Sequence, residues 1–269
     1  MRFALLASGS KGNSCIIYDE NMTLMIDCGT TKNYLTRAMA EVGTTVEDLD
    51  AVLITHTHSD HISQIRMVKE CRIYSPEKLV VPSTPVIPEK PFQINHVTVT
   101  PLALSHDTDI TVGYILRSWK EKLVYITDTG YLKDSYLPLL KDADYILLES
   151  NHDIEMLMHT SRPPYLKMRI ASDSGHLCNE NCANILANIV SVKTKHIVLS
   201  HISQEANTPQ KALEVNCTYL REHCPGKLHP QLVVTAAQQY EIIKGGDWHE
   251  ESNYGVYRRY PGMERMADI

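Results

Sequence analysis

Apolar residues in this chain come in short runs of β-type composition. RFALLA, CIIY and TLMID open the chain, and AVLIT and KLVVP follow. VTVTPLAL, VGYILRSW and KLVYITD form a meander-like series in the middle, and YILLES, HIVLS, QLVVT and QYEII come later. Runs of this length, bounded by Gly, Pro, Ser and Asn, predict strands. Between them the spacing turns helical across TKNYLTRAMAEVG, over 62–70, near 135–141 and over 209–223. Asn207 and Thr208 before Pro209 read as a helix start, and Asp153 as a cap. Polar turns and helices fill 151–192, one of them over 179–190. Strand runs lead each half and helices punctuate them. That order predicts two sheets covered by helices, an α/β chain without a doubly wound single sheet.

Neither repeats nor a low-complexity linker interrupt the 269 residues, so one domain spanning 1–269 is expected. Residues 246–269 are polar and aromatic and read as a C-terminal extension without a clear element. Apolar content of 43% and charged content of 22% suit a soluble globule. No apolar run is long enough for a membrane span. The N-terminal stretch lacks a long apolar h-region and reads as strand, Gly/Ser turn, strand, so a cytoplasmic location is expected. The seven cysteines are odd in number and scattered, which argues against a disulfide framework, and Cys178 and Cys182 read as buried thiols. A net charge of −6 argues against a broad nucleic-acid-coating surface. It leaves room for an enzyme that holds phosphate locally.

Candidate chemistry gathers where strand runs end. AVLIT leads into His56, His58, Asp60 and His61; VTPLALS ends at His106, KLVYIT at Asp128, KHIVLS at His201 and TLMI at Asp27. A lone His past a strand is an ordinary solvated residue. A tight His/Asp cluster together with four such endings points to a metal site assembled by loops. Neutral imidazoles and carboxylates suit Zn²⁺, Mn²⁺ or Fe²⁺. A water bound to such a cation loses its proton near neutral pH and becomes a nucleophile.

The stretch THTHSDH resembles the T-H-x-H-x-D-H signature of the metallo-β-lactamase superfamily, and His106, Asp128 and His201 follow in the order of its remaining ligands. LASGSKGNS, LLESNHD, SDSGHLCN and LSHISQEANTP resemble the bacterial WalJ/YycJ group of exonuclease-like members. The resemblance implies a four-layer αββα sandwich, two mixed sheets flanked by helices. It implies one cation on His56, His58 and His106, a second on Asp60, His61 and His201, and Asp128 bridging them. Asp27 would orient the histidine loop, and Asp60 would aim the nucleophile. His176 is read as a phosphate or leaving-group contact, with helix capping as its alternative. Ser10, Gly12 and Asn13 lie in a turn that either faces a phosphate through the amides of 9–13 or is only a hairpin. Asn151 and His152 are candidates for the rim of a substrate site. RPPYLKMR is either a grip on a DNA backbone or a solvated helix face. The expected activity is a dinuclear phosphodiesterase acting on nucleic acid, DNA above RNA, in a 5′-to-3′ exonuclease-like manner. The alternative is hydrolysis of a small phosphodiester, a phosphonate ester or a thioester.

Overall fold

The structure is a computed structural model that describes residues 1–248 together with the backbone of Met263–Arg265. The rest of the expected C-terminal extension lies outside the described residues. Strands β1 (Arg2–Ala7), β2 (Ser14–Asp19), β3 (Met22–Ile26), β4 (Ala51–Leu53), β5 (Ile73–Ser75) and β6 (Thr84–Pro85) belong to one sheet. Strands β7 (Phe92–Ile94), β8 (Val97–Leu104), β9 (Thr111–Arg117), β10 (Lys122–Ile126), β11 (Tyr145–Glu149), β12 (His196–Ser200) and β13 (Val233–Ala236) belong to the other. A late strand closes each edge. β14 (Ile243–Gly246) pairs with β1, and β15 (Met263–Arg265) pairs with β13. Both sheets are mixed: β3 to β6 and β10 to β13 run parallel, whereas β1 to β3 and β7 to β10 run antiparallel.

The alternation of side chains along each strand builds the layers. Phe3 and Leu5 of β1 face Tyr145 and Leu147 of β11 in a core between the sheets. Ala4 and Leu6 point the other way, toward Leu35 and Met39 of α1 (Lys32–Glu41). Ile146 and Leu148 turn outward against Leu186 and Leu220. These two belong to α6 (Asn179–Ile189) and α7 (Pro209–His223), which cover the second sheet with α3 (Leu137–Leu140). The result is four layers, αββα. Because both faces of the central strands are buried, their sequences are apolar throughout rather than alternating. Truncating one of these side chains, such as Leu147→Ala, costs about 2–5 kcal/mol.

Three expected elements differ. The helix expected over 62–70 is a single turn, α2 (Ser59–Ile62), followed by turns. Its continuation is interrupted because the Gln64 amide donates to Cys28 O of a neighbouring loop, and Ile65 and Met67 bond only three residues back. KLVVP is not a strand; Val80 is exposed and Pro82 lacks an amide, so the sheet resumes at β6. In QYEII the strand starts only at Ile243, since Gln239 is engaged through its side chain with Gly12 O and the Lys11 amide. Near 135–141 a 3₁₀ turn, Asp134–Tyr136, leads into α3. The 209–223 helix has the expected bounds, with Thr208 accepting from the Lys211 amide and Pro209 in the first turn.

Candidate active site

The C-terminal ends of β3, β4, β8, β10, β11 and β12 meet at one edge of the sandwich. The polar residues that follow or close them line a cavity of about 350 Å³ whose walls include His58, Asp60, His106, Asp128, His176 and His201. Strand ends fix the direction of these groups, and loops from different parts of the chain bring them together. Three of the positions, Asp27, Asp128 and His201, adopt left-handed backbone with φ of 57°, 57° and 55°. Each such non-glycine residue stores about 1–3 kcal/mol of strain, which the surrounding packing holds in place.

His56, His58 and His106 form one group of convergent ligand atoms; His56, His61 and Asp128 form a second. Asp128 lies between the imidazoles. Its Oδ2 is 3.3 Å from His61 Nε2, and its Oδ1 is 3.5 Å from His201 Nδ1 and 3.8 Å from His106 Nε2. Asp60 Oδ2 stands 3.7 Å from His61 Nε2. Asp27, wholly buried, accepts from the Thr55 amide and hydroxyl and from His61 Nδ1, all at 2.8 Å. It thereby orients the loop that carries His56 to His61. Gly29 passes so close beneath that loop that a Cβ there would lie 1.6 Å from Asp60 O.

A third group joins Asp128, Glu149, His176 and His201. Glu149 was not among the residues expected to contribute. Its Oε1 accepts from His176 Nδ1 and from His201 Nδ1, each at 2.8 Å, and its Oε2 accepts from the amides of Thr129 and Leu177. The sequence carried a signal for it: an acid closing an apolar strand run, as Asp27 and Asp128 do.

The remaining expected contacts divide. Ser10 and Asn151 line the cavity. Gly12 packs against Thr30, where a Cβ would lie 2.6 Å from its Cα. Asn13 is buried and braces the site from behind, its Nδ2 2.9 Å from His61 Nε2. The amides of Gly9, Lys11, Gly12 and Asn13 bond to Asn13 Oδ1, Gln239 Oε1, Gly9 O and Asp60 O, so this turn is held by internal bonds. His152 is buried with Nδ1 unpartnered and does not line the cavity. Asp153 caps α4 (Ile154–His159) by accepting from the Met156 amide. Cys178 and Cys182 are buried free thiols, and Cys178 Sγ accepts from the Asn181 amide at the start of α6.

The electrostatics suit cations. Burial and neighbouring imidazoles hold His56 far below the usual range, and burial lowers His106, so both keep a lone pair to donate at neutral pH. Burial opposes the charge on Asp128, yet His201, His61 and His56 hold its carboxyl well below the usual range. Glu149 is likewise drawn down to about 2 by His176 and His201, against its burial. His61 and His201 are buried but pressed against carboxylates; Asp27 and Asp128 raise His61, and Asp128 and Glu149 raise His201 to about 9. An arriving cation would displace the protons these two hold. The residues present fit divalent metal ions. His201 Nε2 is buried without a hydrogen-bond partner, and His56 Nε2 stands 3.1 Å from His58 Nδ1, ring nitrogens that a shared cation reconciles. A donor set of imidazole and carboxylate is the one hard-to-borderline divalent ions take.

Comparison with known proteins agrees with this geometry. Residues 23–202 match the family model described as Beta-lactamase superfamily domain. Exodeoxyribonuclease YycJ of Bacillus anthracis is 32% identical over 227 residues, covering 79% of this chain and 86% of that protein. Exodeoxyribonuclease WalJ of Streptococcus pneumoniae is 34% identical over 228 residues, covering 78% and 85%. The metallo-β-lactamase fold protein YhfI from Bacillus subtilis superposes with a TM-score of 0.66 at 17% identity, over 91% of this chain and 99% of its own. Among the described residues no helix is long and apolar enough to cross a membrane. With its four-layer sandwich, its histidine- and carboxylate-lined strand ends and these relatives, the chain belongs to the metallo-β-lactamase superfamily, in the group of YycJ and WalJ.

Proposed function

We propose that this chain is a metal-dependent exodeoxyribonuclease that hydrolyses phosphodiester bonds from a 5′ end. The observation that carries the reading is the convergence, at one open cavity, of a bridging-type carboxylate, paired imidazole groups and a separate carboxylate–histidine pair. Over the aligned 227–228 residues about a third are identical to relatives named exodeoxyribonucleases. His56, His58 and His106 would hold one divalent cation, Zn²⁺ or Mn²⁺, and Asp60, His61 and His201 the other, with Asp128 reaching both. Cations there supply Lewis acidity to the phosphoryl oxygens and lower the pKa of water to about 7.

The chain's own groups complete the chemistry. Asp60 faces the cavity beside His61 and orients the attacking water through its carboxylate. Glu149 takes the Nδ1 proton side of His176 and so fixes which ring nitrogen faces the cavity. His176, held at Nδ1 by Glu149, presents Nε2 to the departing oxygen. Arg162 and Arg169 on the cavity wall add positive charge for the phosphate ester.

The test is direct. Protein stripped with a chelator should lose the ability to release mononucleotides from 5′-phosphorylated DNA and regain it with Mn²⁺ or Zn²⁺. Metal-loaded protein that leaves single- and double-stranded DNA and RNA ends intact refutes the reading. The second reading, a small phosphodiester or thioester as substrate, is favoured by the cavity's volume of about 350 Å³, near the small end of ligand sites. Hydrolysis of a cyclic nucleotide, with no action on oligonucleotides, would select it.

A further inference from the structure

Beside the candidate site, the cavity wall continues into α5 (Pro164–Ile170), which follows α4, and the proposed reaction leaves the outward Tyr165 and Met168 of α5 unused. The underside of the two helices is a small cluster in which Leu157, Ile170 and Ala206 pack with half-buried Leu166. What they turn outward is large and apolar: Tyr165 is 76% exposed and Met168 67%. Arg162 and Arg169 flank this surface and line the cavity itself. Each is oriented by a carboxylate. Arg162 Nε donates to Glu205 Oε2 at 2.8 Å, and Arg169 Nη1 donates to Asp107. A guanidinium has five N–H donors, so one bond to a carboxylate steadies each fork and leaves donors for a phosphate. Tyr165 stands four residues before Arg169 on α5, and residues at that spacing are neighbours on one helix face. An exposed aromatic ring is thus set one turn from a cation that reaches the reaction site.

We infer that this face is the track for the DNA strand: a base next to the bond being cut stacks on Tyr165, while Arg162 and Arg169 grip the adjoining phosphates. The inference rests on the nuclease reading and names what holds its substrate. Stacking on an aromatic ring does not discriminate among bases, which suits an enzyme that must step through any sequence. Phosphate contacts likewise position a strand without reading it. The two arginines, each shared with a carboxylate, set guanidinium donors at the cavity rim of a chain whose net charge is −6. Other large apolar side chains of the molecule are exposed too; what sets Tyr165 and Met168 apart is their place beside two braced arginines on the cavity wall.

Steady-state kinetics on a 5′-phosphorylated single-stranded decanucleotide, with Mn²⁺-loaded protein, tests the track. Tyr165→Leu should raise KM by about tenfold and change kcat by less than about twofold, as loss of one stacked base predicts. Tyr165→Phe and Tyr165→Trp should keep KM near wild type, because a ring is what is needed. Arg162→Gln should flatten the dependence of log KM on log salt by about 0.7, one phosphate contact on a single strand. Unchanged KM in Tyr165→Leu, or failure of Tyr165→Phe to keep it, overturns the track while the nuclease reading stands. A wild type that leaves the decanucleotide intact overturns both. If sedimentation shows wild-type dimers that Tyr165→Leu converts to monomers, the face belongs to a second copy of the chain and the inference falls.

Discussion

Asp128 stands within 3.3–3.9 Å of ring nitrogens of His61, His201, His106 and His176, more imidazoles than any other carboxylate among the described residues of the site meets. Asp128→Ala should therefore cost more activity than any single His→Ala change, beyond the about 10–100-fold that follows loss of an outer partner. Elemental analysis alongside the DNA assay checks this; near-wild-type hydrolysis would remove Asp128 from its proposed place between the cations. Glu149 sits behind, not among, the groups facing substrate. Glu149→Gln puts an amide where the carboxylate accepts from four donors, so two of them lose their acceptor. It should keep bound metal and lower kcat by about 10–100-fold. His176→Ala should do the same to turnover; loss of metal in step with activity would make His176 a ligand instead. Glu149 was hard to read because YILLES looks like any apolar strand meeting a surface acid. Its neighbours in space, His176 and His201, are remote in sequence.

The loop between β4 and α2 is carried on contacts that leave no room for change. Gly29→Ala should push Asp60 and His61 off their positions although residue 29 touches no substrate. Overpacking of this kind costs about 1–3 kcal/mol or more. A lower thermal midpoint together with reduced metal content is the expected pair of results; a drop in one without the other would separate the loop from the site. Strands such as HIVLS and KLVYI were readable because both faces are buried and the apolar run is unbroken. The 209–223 helix was readable from its Thr-Pro start. The 62–70 stretch was not, since the Gln64 amide is claimed by Cys28 O of a neighbouring loop, a tertiary contact that no local periodicity records. KLVVP failed for a different reason: Leu79 and Val81 pack against the core as irregular chain, Val80 between them is exposed, and Pro82 has no amide for a ladder. The convergence of His56, His106, Asp128 and His201 was readable because each stands just past a strand; which of them would share a cation is what the family resemblance implies. The internal bonding of the 9–13 turn was not readable, because Gln239, which holds it, lies at the far end of the chain.

The sandwich joins its halves through buried groups far from the cavity, and one of them makes stability depend on pH. His196, at the start of β12, is enclosed between Phe3 and β14, bonds Thr235 Oγ1, and burial lowers its pKa to about 4. The unfolded chain takes up this proton near pH 6.5 and the folded one only near 4. Stability from this group is therefore complete above pH 6.5 and is lost progressively as pH falls toward 4, by up to about 3 kcal/mol. Urea unfolding at pH 5 and pH 7 should show a smaller difference in His196→Gln than in wild type; equal differences would assign the effect elsewhere. The left-handed turns at Asp27, Asp128 and His201 have a consequence for the whole molecule as well. Glycine occupies that backbone region at ease, so a population of variants screened only for survival on heating would drift toward glycine at these three places. Such descendants would be hardier and inert, and the acids and the imidazole persist there only where turnover itself is what survives.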